Sequence, residues 1–340
     1  MKFKAAILCE VDQPLEIDEV ELAPLDVGQV LVKIHTSGIC GAQLLEIKGH
    51  KNNAKFMPHM LGHEGAGTVV EIGSGVTTVK VGDNVVAHWI VGSGIDAPFP
   101  TYKRGTTNIG GGKVTTFSEY SAISENRLTK VPNDTCTDLC ALMGCGITTG
   151  LGVINNECSV KFGESLMVIG CGGVGLNLIQ GAKMACTYPI YAVDIDDSKA
   201  ELALKLGATH FINLNKTTFA DEIDNVDIIV DTVGSTELIS EAISFLSNAG
   251  RYIMVGHPPP GKTLNIPNAG DMFFGKGKLL KATQGGKTNP TEDIKRYIKL
   301  HNAGILNIKS IISHRTTLDD INDAISLISR SKAGRIMIDL

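Results

Sequence analysis

Three short segments of this sequence set soft metal-ligand side chains beside glycines: Gly38-Ile-Cys40-Gly41, Leu61-Gly-His63-Glu64-Gly65 and Met143-Gly-Cys145-Gly-Ile-Thr-Thr-Gly150. Cysteine and histidine suit zinc, yet free cysteine is also a common buried hydrophobe. Spacing alone does not bring the three segments together. A fourth segment carries different chemistry. Gly170-Cys-Gly-Gly-Val-Gly175 fits G-x-G-x-x-G, with an apolar run before it, an apolar helix after it, and Asp194 ending the next strand. In that context Gly170 makes the tight turn, Gly172 lets the backbone approach a pyrophosphate, and Gly175 lets helix and strand pack closely. Free N–H groups at the helix start, around Gly173 and Val174, then meet the pyrophosphate. Asp194 can accept from both ribose hydroxyls and would repel a 2′-phosphate, so NAD(H) is expected rather than NADP(H).

The elements that must position these groups come in two styles. Residues 1 to about 130 read as short strands punctuated by Gly, Pro and Asp: 30–35, 67–72 and 85–88, with a turn at 81–84, then a Gly/Pro/Thr-rich loop at 92–112 and a strand at 117–124. One helical pattern covers 137–155. From residue 165 strands and helices alternate: strands at 166–169, 189–194, 226–231 and 250–256, helices at 176–185, 198–206 and 236–247. That alternation predicts a parallel, doubly wound sheet. Helices at 291–303 and 318–329, with a strand between them and a last strand at 335–340, follow.

Composition narrows the class. The 340 residues suit two domains, and 43% hydrophobic content supplies two cores. With 31 basic and 36 acidic residues the net charge is −5, which argues against a nucleic-acid binder. No polybasic cluster points to a membrane surface. The apolar run after the first lysines is too short for a signal peptide, and no later run approaches a bilayer span. A soluble cytoplasmic protein with a small-molecule partner is expected. Its eight cysteines should be reduced, each a core thiol, a ligand or a nucleophile.

With Val81-Gly-Asp83, Thr115-Thr-Phe-Ser-Glu-Tyr120 and Leu206-Gly-Ala208 added, these segments run in order along essentially the whole chain. As a linked set they resemble the zinc-dependent medium-chain alcohol dehydrogenases. The resemblance implies an α/β protein: a GroES-like β-rich catalytic domain at 1–148 and 288–340, and an NAD-binding Rossmann domain with a doubly wound parallel sheet at 149–287. It implies a site in the interdomain cleft and a homodimer or homotetramer paired through the cofactor domain. Cys40, His63 and Cys145 become the catalytic zinc ligands, with Glu64 behind the metal and able to replace water as a ligand. Two thiolates and an imidazole leave one position open, as catalysis requires. Thr149 should pack on the nicotinamide side, Lys199 should reach the adenosine ribose beside Asp194, and Gly234 should lie near the adenosine. Val255, Gly256 and His257 should touch the carboxamide edge, and Arg335 the cofactor phosphates. Trp89 and Phe117 match substrate-pocket positions.

The implied activity is hydride transfer between NAD and a zinc-bound alcohol or carbonyl substrate. Two rival readings are a zinc-free NAD(P)H-dependent quinone or enone reductase and a silent NAD(H)-binding sensor or structural protein.

Three departures from the family pattern stand out. Residues 88–112 contain no cysteine, so the structural zinc lobe cannot be built there and one catalytic zinc per chain is expected. Ala42 replaces a Ser or Thr whose hydroxyl takes the alcohol proton, and Leu45 replaces a relay histidine. Gln43, beside the pocket, replaces an Asp that supports the zinc-bound histidine. Water, Glu64, His59, His88 or the substrate's own hydroxyls are left to carry the proton. That shift favours secondary or polyhydroxylated, sugar-like alcohols, with Lys103, Arg104 and Asn108 of the polar loop available to face such a group.

Overall fold

The computed structural model describes residues 1–51, 54–329 and 334–340. By contacts it divides into two compact units, Met1–Thr148 with Asn289–Leu340, and Thr149–Thr288.

In the first unit the strand Gln29–Ile39 is central. Its Val30, Val32 and Ile34 alternate into one core with Val69, Val85 and Ile123. Glu64–Ile72 pairs antiparallel along one edge, and Tyr120–Ser124 and Arg335–Asp339 share the other. Together with Asn84–His88, Leu128–Lys130 and Ile312–Thr317 they make a seven-stranded sheet. Lys2–Leu8, Glu16–Leu22, Thr101–Arg104, Thr107–Gly110 and His59–Met60 close a small barrel.

Two of those barrel strands lie in the segment 92–112, which reads as a loop in sequence. They form a hairpin because Tyr102 and Ile109, 0% and 2% exposed, supply an apolar face hidden among turn residues. In this hairpin the Arg104 guanidinium is engaged by Glu16 at 2.5 Å.

The 137–155 stretch is likewise not one helix. Thr137–Met143 stops and Gly146–Gly152 starts afresh, continued by a π-turn at Val153–Glu157. At the break, a Cβ on Gly144 would lie 2.4 Å from the Ala87 carbonyl oxygen and 2.6 Å from Glu64 Cα. The chain bends there to press against the sheet, and the bend carries Cys145.

The second unit is a six-stranded parallel sheet in the order His210–Asn213, Ile190–Asp194, Leu166–Ile169, Val226–Asp231, Leu246–Met254, Leu279–Ala282. This is the doubly wound order of dinucleotide-binding folds. Its two edge strands escape the sequence reading, since neither shows a run of apolar residues. The helix expected at 236–247 ends at Ala242, and a 3₁₀ turn leads into the strand at Leu246. Among the described residues no single helix is long and apolar enough to cross a membrane.

Candidate functional site

Each soft ligand sits where an element ends. Cys40 follows the central strand and caps the helix Gly41–Ile47, His63 precedes the strand Glu64–Ile72, and Cys145 fills the break between two helices. Their ligand atoms all lie within 4.8 Å of one another, one such group among the described residues. The two sulfurs are 4.0 Å apart. His63 Nε2 is buried with no hydrogen-bond partner. Two thiols and an orphaned imidazole nitrogen, converging in a buried spot, fit a zinc ion.

The electrostatics suit deprotonation. The Cys40 thiol is held well below its usual range, chiefly by the hydrogen bond from Cys145, with the Arg335 cation and His63 adding to it against burial. Cys145 is pushed well up by donating that bond and by burial. Of the two sulfurs, Cys40 is the one the surroundings favour as thiolate, and metal binding calls for both to lose their protons.

Behind the ligands lies a buried ion pair. Glu64, 0% exposed, accepts from Arg335 at 2.7 Å and from the Gly146 N–H at 3.2 Å, while its Oε1 has no partner. Burial pushes its carboxyl up and Arg335 opposes this. Glycine makes the approach possible, because a Cβ on Gly38 would stand 2.2 Å from Glu64 Oε1. Arg335 also donates to the Ile39 carbonyl at 3.3 Å and is itself buried. The structure therefore gives the guanidinium to Glu64 and the ligand cluster.

Gln43 and Phe117 are buried within this unit. The Gln43 amide is buried between the Cys40 N–H, at 2.9 Å from its Oε1, and His63 Nδ1. Phe117 is fully buried with Ile39, Leu61 and Ile336. Trp89 is half-buried, its Nε1 without a partner and its carbonyl taken by Arg127. His88 is held in place within its sheet. Both ring nitrogens are engaged, by Ile90 O at 2.7 Å and Thr129 Oγ1 at 3.0 Å, and burial lowers its pKa to about 4. His59 faces Glu46 at 3.3 Å.

In the second unit the glycine turn has the geometry its sequence implies. Gly170 has φ +93°, and a Cβ on Gly175 would fall 1.8 Å from the Gly170 carbonyl oxygen. A Cβ on Gly172 would meet nothing within 4 Å. The helix Gly173–Met184 begins there, presenting the free N–H groups of its first turn. Space over the turn together with donors is what a pyrophosphate needs, so these residues fit a dinucleotide.

Asp194 ends its strand beside the turn, accepting from the Cys171 N–H at 2.7 Å, and Lys199 Nζ lies 3.0 Å from its Oδ2. Thr149 Oγ1 is buried and unpartnered. The His257 backbone lies against Gly234, and Gly234, Val255 and Gly256 gather around a residue the sequence reading missed, Asp231. Its carboxylate accepts from Val233 and Gly234 N–H groups, at 2.9 and 3.0 Å, and its carbonyl from those of Val255 and Gly256, at 2.8 and 2.9 Å. Burial raises the Asp231 pKa to about 6. The available signal was a carboxylate closing the apolar run Val226–Asp231.

Comparison with known proteins decides the family. Residues 26–133 match the alcohol dehydrogenase GroES-like domain, and residues 173–302 match the zinc-binding dehydrogenase domain. The chain is 31% identical to S-(hydroxymethyl)glutathione dehydrogenase of Paracoccus denitrificans, over 99% of this chain and 100% of that protein. The chain belongs to the zinc-dependent medium-chain alcohol dehydrogenase family. It is an alcohol dehydrogenase, an oxidoreductase acting on CH–OH.

Solved structures of this family include benzyl alcohol dehydrogenase from Acinetobacter calcoaceticus, at 25% identity and TM-score 0.91 over 100% of this chain and 99% of that one. 2R,3R-butanediol dehydrogenase from Bacillus subtilis has 25% identity and TM-score 0.79 over 99% of each chain. The fold is accordingly a GroES-like domain joined to a Rossmann-type domain.

Proposed function

We propose that this alcohol dehydrogenase transfers hydride between NAD and a secondary or polyhydroxylated alcohol, with one zinc ion per chain held by Cys40, His63 and Cys145 and no structural zinc. The observation that carries the reading is the convergence of those three ligand atoms within 4.8 Å. When bound, the ion acts as a Lewis acid that lowers the pKa of a substrate hydroxyl.

The chain's own residues do the rest. Cys40 and Cys145 supply negative charge, and Glu64 with Arg335 sets the field behind them. Gly172 leaves room for the cofactor pyrophosphate, and Asp194 with Lys199 addresses the ribose. Thr149 offers a free hydroxyl on the nicotinamide side, Gly234 lies by the adenosine, and Val255, Gly256 and His257 lie at the carboxamide edge. Trp89 faces the substrate.

Ala42 and Leu45 cannot accept a proton, and His88 is locked in place. The proton therefore leaves through water, Glu64, His59 or a neighbouring hydroxyl of the substrate, and the last route favours a diol or polyol. The Bacillus subtilis relative named for 2R,3R-butanediol supports that preference. A homodimer or homotetramer paired through the cofactor unit goes with this reading. Leu279, on the edge strand Leu279–Ala282, is 48% exposed, and Phe274, on the turn Gly270–Gly275 that precedes it, is 94% exposed.

The test is metal content with a substrate panel. One zinc per chain and faster NAD reduction with vicinal diols and polyols than with primary alcohols are expected. Two zinc ions per chain, or a preference for simple primary alcohols, would overturn the finer reading.

A further inference from the structure

The Gln43 amide serves two groups at once. Its Oε1 accepts the Cys40 backbone N–H at 2.9 Å, reaching back from the third position of the helix, and its Nε2 meets His63 Nδ1. Gln43 is 1% exposed, so solvent does not replace either partner. A backbone N–H only donates, and an amide offers one acceptor atom and one donor group. With Oε1 committed to Cys40, the amide NH₂ donates to Nδ1. A neutral imidazole bonded in that way keeps its one proton on Nε2, the nitrogen that lies buried without a partner.

Coordination through Nε2 requires the other tautomer, with the proton on Nδ1. Nδ1–H and the Cys40 N–H are then both donors facing one amide. Turning the amide over changes which donor is left unserved and does not remove the conflict. A carboxylate at this position would accept from both sides. In the metal-free site Nε2–H is the donor left without a partner; once zinc takes Nε2, the unserved donor is one that a carboxylate would have served.

We infer that Gln43 is a positioning residue that supports a metal-bound His63 less well than a carboxylate would, so that this chain holds its zinc loosely and exchanges it readily. It acts through His63 and Cys40, and the inference rests on the zinc reading above. The expected weakening is about 10- to 100-fold in metal affinity, the usual effect of losing a supporting partner of a metal-bound histidine.

The experiment compares the full-length protein with Gln43→Glu, which keeps side-chain length and gives an acceptor on both sides. Both are loaded with zinc and mixed with a chromogenic chelator. The wild type should release zinc about 10- to 100-fold faster than the variant. Ring ¹⁵N shifts of His63 in the metal-free wild type provide a second reading. They need no variant and are free of the extra charge that glutamate adds. The Nε2–H tautomer is expected, and an Nδ1–H tautomer would overturn the inference. Zinc uptake with equal release rates would also overturn it while leaving the zinc site intact. If the wild type takes up no zinc, the zinc reading itself falls, and the inference with it.

Discussion

The metal cluster and the dinucleotide turn hold their groups by opposite means. At the cluster, Cys40 and Cys145 stand 105 positions apart in the chain and meet only because two strand ends and a helix break converge. Side chains then tune the spot: a buried Glu64–Arg335 pair, and an amide shared between two ligands. The turn is six consecutive residues whose geometry is backbone, and what matters there is the absence of side chains. Substitution at the cluster should therefore change chemistry and spare the fold. At the turn, one added methyl group should disturb either packing or room for the ligand.

The largest expected effect tests the cluster. Cys40→Ser should lose zinc and drop turnover by about a thousandfold or more, as removal of a Lewis acid worth several kcal/mol implies. NADH binding, read by fluorescence, should persist. Loss of NADH binding as well would show that the two regions are not separable.

Opposite pH responses come next. His88, at about 4 when folded against about 6.5 unfolded, binds fewer protons in the native state. Its contribution is complete above pH 6.5 and is lost as pH falls toward 4. Asp231, at about 6 when folded against about 3.9 unfolded, binds more. Its contribution is complete below pH 3.9 and is lost as pH rises through 6. Each amounts to roughly 3 kcal/mol. In urea unfolding at pH 4 and 6.5, His88→Gln should remove part of the acid loss, and Asp231→Asn should deepen it. Variants moving in the same direction would break the contrast.

Smaller effects divide the turn itself. Gly175→Ala forces a Cβ into the Gly170 carbonyl and should destabilise the protein by about 1–3 kcal/mol. Gly172→Ala, with open space around it, should leave the melting temperature alone and weaken NADH binding instead. The smallest effect concerns the hairpin. Lys103→Ala with Arg104→Ala should leave the KM for a polyol unchanged and cost less than about 1 kcal/mol, since the Arg104–Glu16 pair is at the surface.

How much of this could be read in sequence follows the same division. The turn and the carboxylate at Asp194 are local, so glycine spacing and one apolar run reveal them. The ligands announced themselves only as soft side chains next to glycines. The physical reason for those glycines, the approach of Glu64 to Gly38 and of Arg335 to Gly146, is a tertiary contact. The hairpin at Thr101–Gly110 was obscured because its apolar face rests on two residues among turn formers. Asp231 was overlooked because its work is done by backbone partners, Val233, Gly234, Val255 and Gly256, that leave no mark on composition. Gln43 was visible as an uncharged support, but its second bond to Cys40 was not.

One fastening in the catalytic unit has a further consequence. The Glu125 carboxylate accepts the N–H groups of Thr77, Thr78 and Ile95, at 2.6, 2.7 and 2.7 Å, and so ties down the lobe that carries no cysteine. A carboxylate is indifferent to peroxide and to metal scarcity, whereas thiolate ligands are oxidised and stripped. The fastening of this lobe is thus built from groups that neither oxidant nor chelator attacks, and its shape does not depend on whether zinc is bound elsewhere in the unit.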